Sequence, residues 1–279
     1  MELIFRLIDA VLPFAFAEPL FMKRALLAVL LVSPLCAAMG VMVVNFRMAF
    51  FSDAISHSAF TGVALGILFG VDPRITLIVF GVLVGLGIIS VRLRSSLSVD
   101  TVIGVFFSFA VALGIVIISA RKSLTTDLHA YLYGDVLTVS GPELLGMALL
   151  FLAGAAFLFF FFNQLFLIGI NEQQATAQGV KVRALEYGYA LLLALVVTVS
   201  IRVIGLLLIT AMLVVPAAAG RNLAGSVRSM FWWAIAVGLG SGAAGLTATF
   251  YWDSATGATI ILIACLAFLV SQAYASLKR

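Results

Sequence analysis

The sequence predicts an all-α polytopic membrane protein with about nine transmembrane helices, eight being the alternative. Hydrophobic residues make up 64% of the 279 residues and charged residues only 10%, whereas soluble domains carry about 25% charged residues. The mean hydropathy is +1.24, and the apolar residues form successive runs of roughly the 20 residues that a spanning helix needs. The charged residues lie mostly between these runs, as insertion into a bilayer requires.

The elements follow in order along the chain. Residues 1–23 contain acidic residues and prolines that interrupt any long apolar core, so we expect an interfacial amphipathic segment and no cleavable signal peptide. A single transmembrane domain over 24–279 follows. Its predicted crossings are 24–44, 50–69, 75–91, 99–119, 142–162, 187–200, 203–219, 229–250 and 256–275. The crossings 187–200 and 203–219 come from dividing one long apolar stretch at Arg202, and one of them can be a partial crossing if protein covers it.

The basic residues between the crossings predict the orientation. With nine crossings, one set of connections carries nine basic residues: Arg47, Arg92, Arg94, Lys181, Arg183, Arg221, Arg228, Lys278 and Arg279. The opposite set carries six: Lys23, Arg24, Arg74, Arg121, Lys122 and Arg202. Because cytoplasmic loops are richer in Lys and Arg, we expect the first set in the cytoplasm. The N-terminus is then outside and the C-terminus inside.

The second crossing carries two ionisable residues, Asp53 and His57, at a spacing of four residues. This spacing places both on one helix face. Asp near the centre of a membrane helix costs roughly 2.5–3.5 kcal/mol, so we expect the pair to have a function. One oxygen ligand and one nitrogen ligand suit a divalent transition metal such as zinc or manganese. A hydrogen-bonded pair that fixes helix packing and a proton relay remain as alternatives.

Other features of this crossing predict its surroundings. His57 follows Arg47 by ten residues, which predicts a depth of roughly 15 Å, near the middle of the hydrocarbon layer. Three hydroxyl residues are expected near the same side, namely Ser52, Ser56 and Thr61. Small residues recur at every fourth position on a neighbouring side, which predicts close approach of another helix: Ala54, Ser58, Gly62, Gly66 and Gly70.

A polar connection at about 163–186 separates the fifth and sixth crossings. Residues Glu172 to Gln178 can form two helical turns, and Gly179 can cap them at the C-terminal end. It is the longest cytoplasmic connection in the predicted topology. A short helix here offers a docking surface for another protein.

Several kinds of chemistry have no matching motif. The sequence contains no Gly-x-x-x-x-Gly-Lys-[Ser/Thr] loop, so the chain does not bind ATP through a P-loop. It contains no His-Glu-x-x-His or Gly-x-Ser-x-Gly motif, and His57 and His129 are its two histidines. We therefore expect a transport protein without an ATPase or hydrolase activity of its own and with no permanently bound cofactor. The energy must come from a partner or from an ion gradient.

Four blocks of the sequence resemble the permease subunits of bacterial zinc and manganese ABC importers. Ser52 to Ala64 resembles the Gly-Asp-x-x-x-His-x-x-x-x-Gly-x-Ala signature of their second helix, with Ser52 in place of the usual glycine. Asp100 to Gly104, followed by Ala112-Leu113-Gly114, looks like the fourth-helix signature. Asp127 to Asp135 is similar to the zinc permease version of the next loop, and Val203 to Ala218 resembles a further block. The likeness covers roughly 24–275.

This resemblance implies a type II ABC importer-like permease that works as a homodimer. It also implies two copies of a cytoplasmic ABC ATPase subunit and an extracytoplasmic metal-binding protein as partners. Ala175 to Gly179 resembles the segment that contacts the ATPase, and we assign the coupling role to Glu172, Ala175 and Gly179. At Gln173 many members carry Glu, so one charge is missing there. The likeness at Asp127 to Asp135 favours zinc, with manganese or iron as alternatives.

A secondary transporter or channel driven by an ion gradient is the second hypothesis. The polar connection with its short helix favours the ATPase-dependent permease, because a lone carrier needs no ATPase dock. Inverted repeats, which many secondary carriers contain, are not evident in the sequence. Co-purification of an ATPase subunit discriminates between the two hypotheses.

Overall fold

A computed structural model of the chain describes residues 19–120 and 139–278, which form ten α-helices and contain no β-strand within those two ranges. We number the helices in chain order: α1 (Leu20–Asn45), α2 (Phe51–Phe69), α3 (Pro73–Arg92), α4 (Val99–Ala120), α5 (Gly141–Ile170), α6 (Glu172–Ala177), α7 (Val182–Ile204), α8 (Leu206–Leu223), α9 (Val227–Trp252) and α10 (Thr256–Leu277). The all-α fold class predicted from composition and periodicity is confirmed.

Nine long helices lie in the described ranges, since only α6 is shorter than 18 residues. Eight of the nine are long and apolar enough to span a membrane, and the exception is α2. This helix has 19 residues, but Asp53, His57 and several hydroxyl residues lower its hydropathy. It packs against α3, α4, α7 and α8. Protein therefore surrounds most of α2, which is the condition under which so polar a helix is tolerated at membrane depth.

The helices α2 and α3 form a closely packed antiparallel hairpin. Gly62 lies against Leu77, and Gly66 lies one turn further on against Pro73. A Cβ atom added to Gly62 would lie 2.7 Å from the Leu77 Cα atom, so the two backbones are in contact there. The predicted close approach along the stripe of small residues is confirmed at these positions. Gly70 has a different role, because its φ of 67° forms the left-handed C-cap of α2.

The sequence predicts that the long apolar stretch over 187–219 is divided at Arg202. The structure shows the break at Gly205 instead. Helix α7 runs through position 202 to Ile204, and Gly205 has φ 83° and ψ 159°. This φ favours glycine, so the glycine provides the break between α7 and α8. A charged residue leaves helical backbone geometry intact, which is why Arg202 does not end the helix.

The polar connection predicted at about 163–186 is mostly helical. Helix α5 has 30 residues and continues to Ile170, so at 1.5 Å per residue it is about 45 Å long and exceeds a hydrocarbon layer of about 30 Å. Helix α6 follows after Asn171, and α7 begins at Val182. We call the end of the bundle where α5 ends and α7 begins the α6 end.

Candidate functional site

A tight turn at the α6 end sets the position of α2. Arg47 adopts φ 56°, the Met48 amide donates to the Val43 carbonyl at 2.9 Å, and the Phe51 amide donates to the Met48 carbonyl at 3.0 Å. Phe51 is fully buried at the start of the helix. Asp53 therefore lies in the first turn of α2, where a carboxylate interacts favourably with the helix dipole.

Asp53 and His57 belong to one half-exposed stripe of α2, as their spacing predicts. From Phe51 to Ala64 every residue is buried except Asp53, His57 and Phe60. These three follow the i, i+4, i+7 pattern of one helix face. Both ionisable side chains therefore lie on the part of this helix that its own chain leaves partly uncovered.

Two neighbouring helices complete the surroundings of the pair, which we call the Asp53 site. The ring of Phe107 in α4 meets the His57 ring edge-on, with centroids 5.2 Å apart. The Thr210 side chain of α8 lies near the Asp53 carboxylate, and its hydroxyl donates to the Leu207 carbonyl of its own helix at 3.2 Å. The site consists of Asp53, His57, Phe107 and Thr210. It joins three helices that are far apart in sequence.

Two expectations about this region need correction, and a third concerns residues that the structure does not describe. Ser52, Ser56 and Thr61 are fully buried, so they do not share the half-exposed stripe. His57 lies six residues after Phe51, about 9 Å along the helix and not 15 Å, because residues 47–50 form a turn. The loop residues Asp127, His129 and Asp135 lie outside the described ranges.

The pair can contact a dication but forms no closed metal site with the other described residues of its chain. Within the described ranges, no three His, Cys, Asp or Glu side chains cluster in a way that could hold a metal ion. Structural zinc sites have four protein ligands and catalytic zinc sites have three. Two ligands per chain suit short-lived contact with an ion that has to be released.

The predicted short helix of the coupling segment is present as α6. The Asn171 side chain caps it by accepting from the Gln174 amide at 3.0 Å. Gly179, with φ 79°, donates to the Thr176 carbonyl, and Val180 donates to the Ala175 carbonyl. This is a Schellman motif, so the predicted glycine cap is confirmed.

The residues assigned to coupling differ in how exposed they are. Ala175 is fully buried and anchors α6 against the bundle, which α6 contacts through α5 and α7. Glu172 is exposed, as are Gln173, Gln174, Thr176, Ala177 and Gln178. The exposed polar face is thus open to a partner, and contact of Glu172, Ala175 and Gly179 with an ATPase stays a prediction.

The structure also brings together residues that sequence reasoning did not connect. Phe107 and Thr210 reach the Asp53 site from α4 and α8. Arg92 of α3 and Glu186 of α7 form an ion pair with 3.2 Å between Nη2 and Oε1. The sequence contains one indication that Glu186 has a role. It is a carboxylate four residues inside a helix that is otherwise apolar enough to span a membrane.

Comparisons with known proteins agree on one family. The model of the ABC 3 transport family matches residues 19–275. The high-affinity zinc uptake system membrane protein ZnuB of Haemophilus influenzae is 30% identical over 88% of this chain and 95% of its own. The manganese import system permease protein ScaB of Streptococcus gordonii is 34% identical over 93% of both chains. The solved structure of PsaBC from Streptococcus pneumoniae in complex with Fab matches with a TM-score of 0.78, at 32% identity, over 100% of both chains.

Proposed function

This chain belongs to the ABC 3 transport family, and on that premise we propose that it is the membrane permease subunit of an ATP-driven importer of a divalent transition metal. ATP hydrolysis resides in a separate partner subunit. Relatives with names that specify zinc and manganese both match over most of the chain, so zinc and manganese are the two principal cargoes to test and iron is a third. The likeness at Asp127 to Asp135 favours zinc.

The half-exposed stripe of Asp53 and His57 is the observation that carries this proposal. A carboxylate and an imidazole are costly against lipid, and a purely structural pair would be expected in the buried part of α2. Instead they lie on the one part of the first three turns that neighbouring helices leave partly open. We assign to Asp53 the oxygen ligand and to His57 the nitrogen ligand of a passing dication, which is the substrate.

A second copy of the chain would complete the coordination. Two copies related by a two-fold axis near α2 would supply two carboxylates and two imidazoles, enough for tetrahedral zinc. The axis would also keep both half-exposed stripes away from lipid. Among the described residues one chain supplies two ligands, so we expect the permease to work as a homodimer.

The remaining partners are those that the family resemblance implies, placed on the predicted topology. We place the α6 end in the cytoplasm, with the N-terminus outside and the C-terminus inside, because the more basic connections lie at that end. Each copy presents one α6 to one ATPase subunit, which gives two ATPase copies per dimer. An extracytoplasmic metal-binding protein would deliver the ion to the opposite end. The complex would lie in the bacterial inner or plasma membrane.

Uptake into proteoliposomes that contain the permease and its ATPase subunit, supplied with the metal-binding protein, tests the proposal. We expect ATP-dependent zinc or manganese uptake by the wild type and its loss in Asp53→Asn and in His57→Ala. Ser58→Ala is the matched control, because Ser58 is in the same helix but fully buried, with its hydroxyl donating to the Ile55 carbonyl. Uptake by both site variants at the wild-type rate would contradict the assignment.

The same proteoliposomes distinguish the permease from the alternative, a transporter or channel driven by an ion gradient. The permease mechanism predicts no uptake without ATP or without the ATPase subunit, whatever ion gradient is imposed. Uptake that persists under those conditions would favour a secondary transporter or channel.

A further inference from the structure

The Arg92–Glu186 ion pair occupies the space between α6 and the start of α2. Glu186 is 2% exposed and follows Val182, the first residue of α7, by one turn. Helix α6 packs against α7. A buried carboxylate needs a compensating cation, and Arg92 supplies it.

Arg92 also touches the turn that positions α2. Its Nη1 atom lies 3.8 Å from the Met48 sulfur, and its Cζ atom lies 5.9 Å from the centroid of the Phe46 ring. Phe46 and Met48 are both buried. Arg92 is therefore in contact with α7 on one side and with the α1–α2 turn on the other.

The α1–α2 turn is itself joined firmly to both neighbours. The Phe46 ring packs at 5.6 Å on Tyr189 of α7, whose hydroxyl donates to the Met39 carbonyl of α1 at 2.8 Å. The Met48 carbonyl accepts from the amide of Phe51, two residues before Asp53. A continuous set of buried contacts therefore connects the first turn of α7 with the first turn of α2. A displacement of one turn is transmitted to the other through these contacts.

Resting on the function proposed above, we propose that Arg92 and Glu186 are positioning residues that couple movement of α6 and α7 to the Asp53 site. When the ATPase displaces α6, the buried ion pair moves the α1–α2 turn together with α7. This movement reorients Asp53 in the first turn of α2. An ion pair suits this task because separating two opposite charges that are largely buried is costly, so Arg92 and Glu186 move together.

The link is tested in proteoliposomes that hold the permease with its ATPase subunit. The measured quantity is the amount of metal transported per ATP hydrolysed. We expect the ratio to fall about 2- to 30-fold in Glu186→Gln and in Arg92→Gln, the range for residues that couple two sites. Basal ATP hydrolysis and metal binding by the permease stay at wild-type values. Arg94→Gln is the matched control, since it removes the same charge two residues away at an exposed position.

A double variant separates coupling from folding. Arg92→Met with Glu186→Leu replaces the ion pair by apolar side chains, which frequently preserves stability, and we expect an assembled complex with the same low ratio. A wild-type ratio in the double variant, or failure of all three variants to assemble, would overturn the link. Absence of ATP-driven uptake in the wild type would instead contradict the proposed function.

Discussion

The residue at which α2 begins decides where Asp53 and His57 lie in the helix. Because the turn at residues 47–50 ends at the buried Phe51, the carboxylate lies in the first helical turn and the imidazole one turn further on. The partly open face of α2 contains these two side chains and the Phe60 ring. A dication that meets the pair would neutralise the carboxylate and find one ligand from each residue, yet remain free to leave.

Thr210 gives the first test at the residue scale. Its side chain lies near the Asp53 carboxylate, so Thr210→Val removes a polar neighbour of the ligand while conserving shape. Loss of such a group weakens metal binding by roughly 10- to 100-fold, and we expect the lower end of that range.

The affinity of the purified permease for zinc or manganese measures this effect. Thr247→Val is the control, because the Thr247 hydroxyl donates within its own helix, as that of Thr210 does, but Thr247 belongs to α9 and not to the Asp53 site. Equal affinities of the two variants would contradict the assignment of Thr210 to the Asp53 site.

The sequence predicts residues that act within one helix better than contacts between helices. The common face of Asp53 and His57, the glycine cap at Gly179 and the close packing at Gly62 all follow from local spacing. The positions of Phe107 and Thr210 depend on how α4 and α8 pack against α2, which no local pattern encodes. Their inclusion in the site could be recognised only from the structure.

At the scale of the helices, the α2–α3 hairpin depends on the absence of side chains. A Cβ atom at Gly62 would lie 2.7 Å from the Leu77 Cα atom and 2.9 Å from the Thr76 carbonyl oxygen. Both are backbone atoms that cannot move without separating the helices. We therefore expect Gly62→Ala to destabilise the bundle by about 1–2 kcal/mol through overpacking.

Thermal unfolding of the detergent-solubilised permease checks this value. Gly146→Ala is the control, because nothing lies within 4 Å of its added Cβ atom and alanine favours a helix by up to about 1 kcal/mol over glycine. An unchanged melting temperature in Gly62→Ala would show that the two helices are not in backbone contact.

Helix α6 depends on the left-handed backbone of Gly179. Alanine at φ 79° costs about 1–2 kcal/mol, so Gly179→Ala should weaken the cap and the helix. We expect the affinity of the permease for its ATPase subunit to fall about tenfold, measured by binding of the two purified proteins.

Gly225→Ala is the matched control for this variant. Gly225 also lies in a connection between helices, has open space around it and lacks a positive φ. If both variants bind the ATPase subunit as the wild type does, then α6 is not the contact.

The number and type of the helices could be predicted because each apolar run is long and bounded by polar residues. The boundaries were less accurate where backbone conformation decides. Gly205 breaks the α7–α8 stretch through its positive φ, whereas the more conspicuous Arg202 leaves the helix continuous. Helix α5 extends eight residues beyond the predicted 162, to Ile170, because Asn163 and Gln164 are compatible with a helix that projects past the hydrocarbon layer.

At the scale of the whole molecule, the bundle is incomplete in one particular place. Most of the polar helix α2 is covered by its own chain, but the half-exposed stripe of Asp53 and His57 is covered only in part. A second copy would cover it, complete the ligand set and form the path between the two chains. The α6 end, with Arg92 and Glu186 beneath the coupling helix, would then connect this path to ATP hydrolysis.

X-ray absorption spectroscopy of zinc bound to the purified permease, with the metal content measured in parallel, tests this account most directly. We expect one zinc ion per two chains, four nitrogen or oxygen ligands that include histidine, and loss of the ion in the double variant Asp53→Asn with His57→Ala. Zinc bound with the same stoichiometry and the same spectrum in that double variant would contradict it.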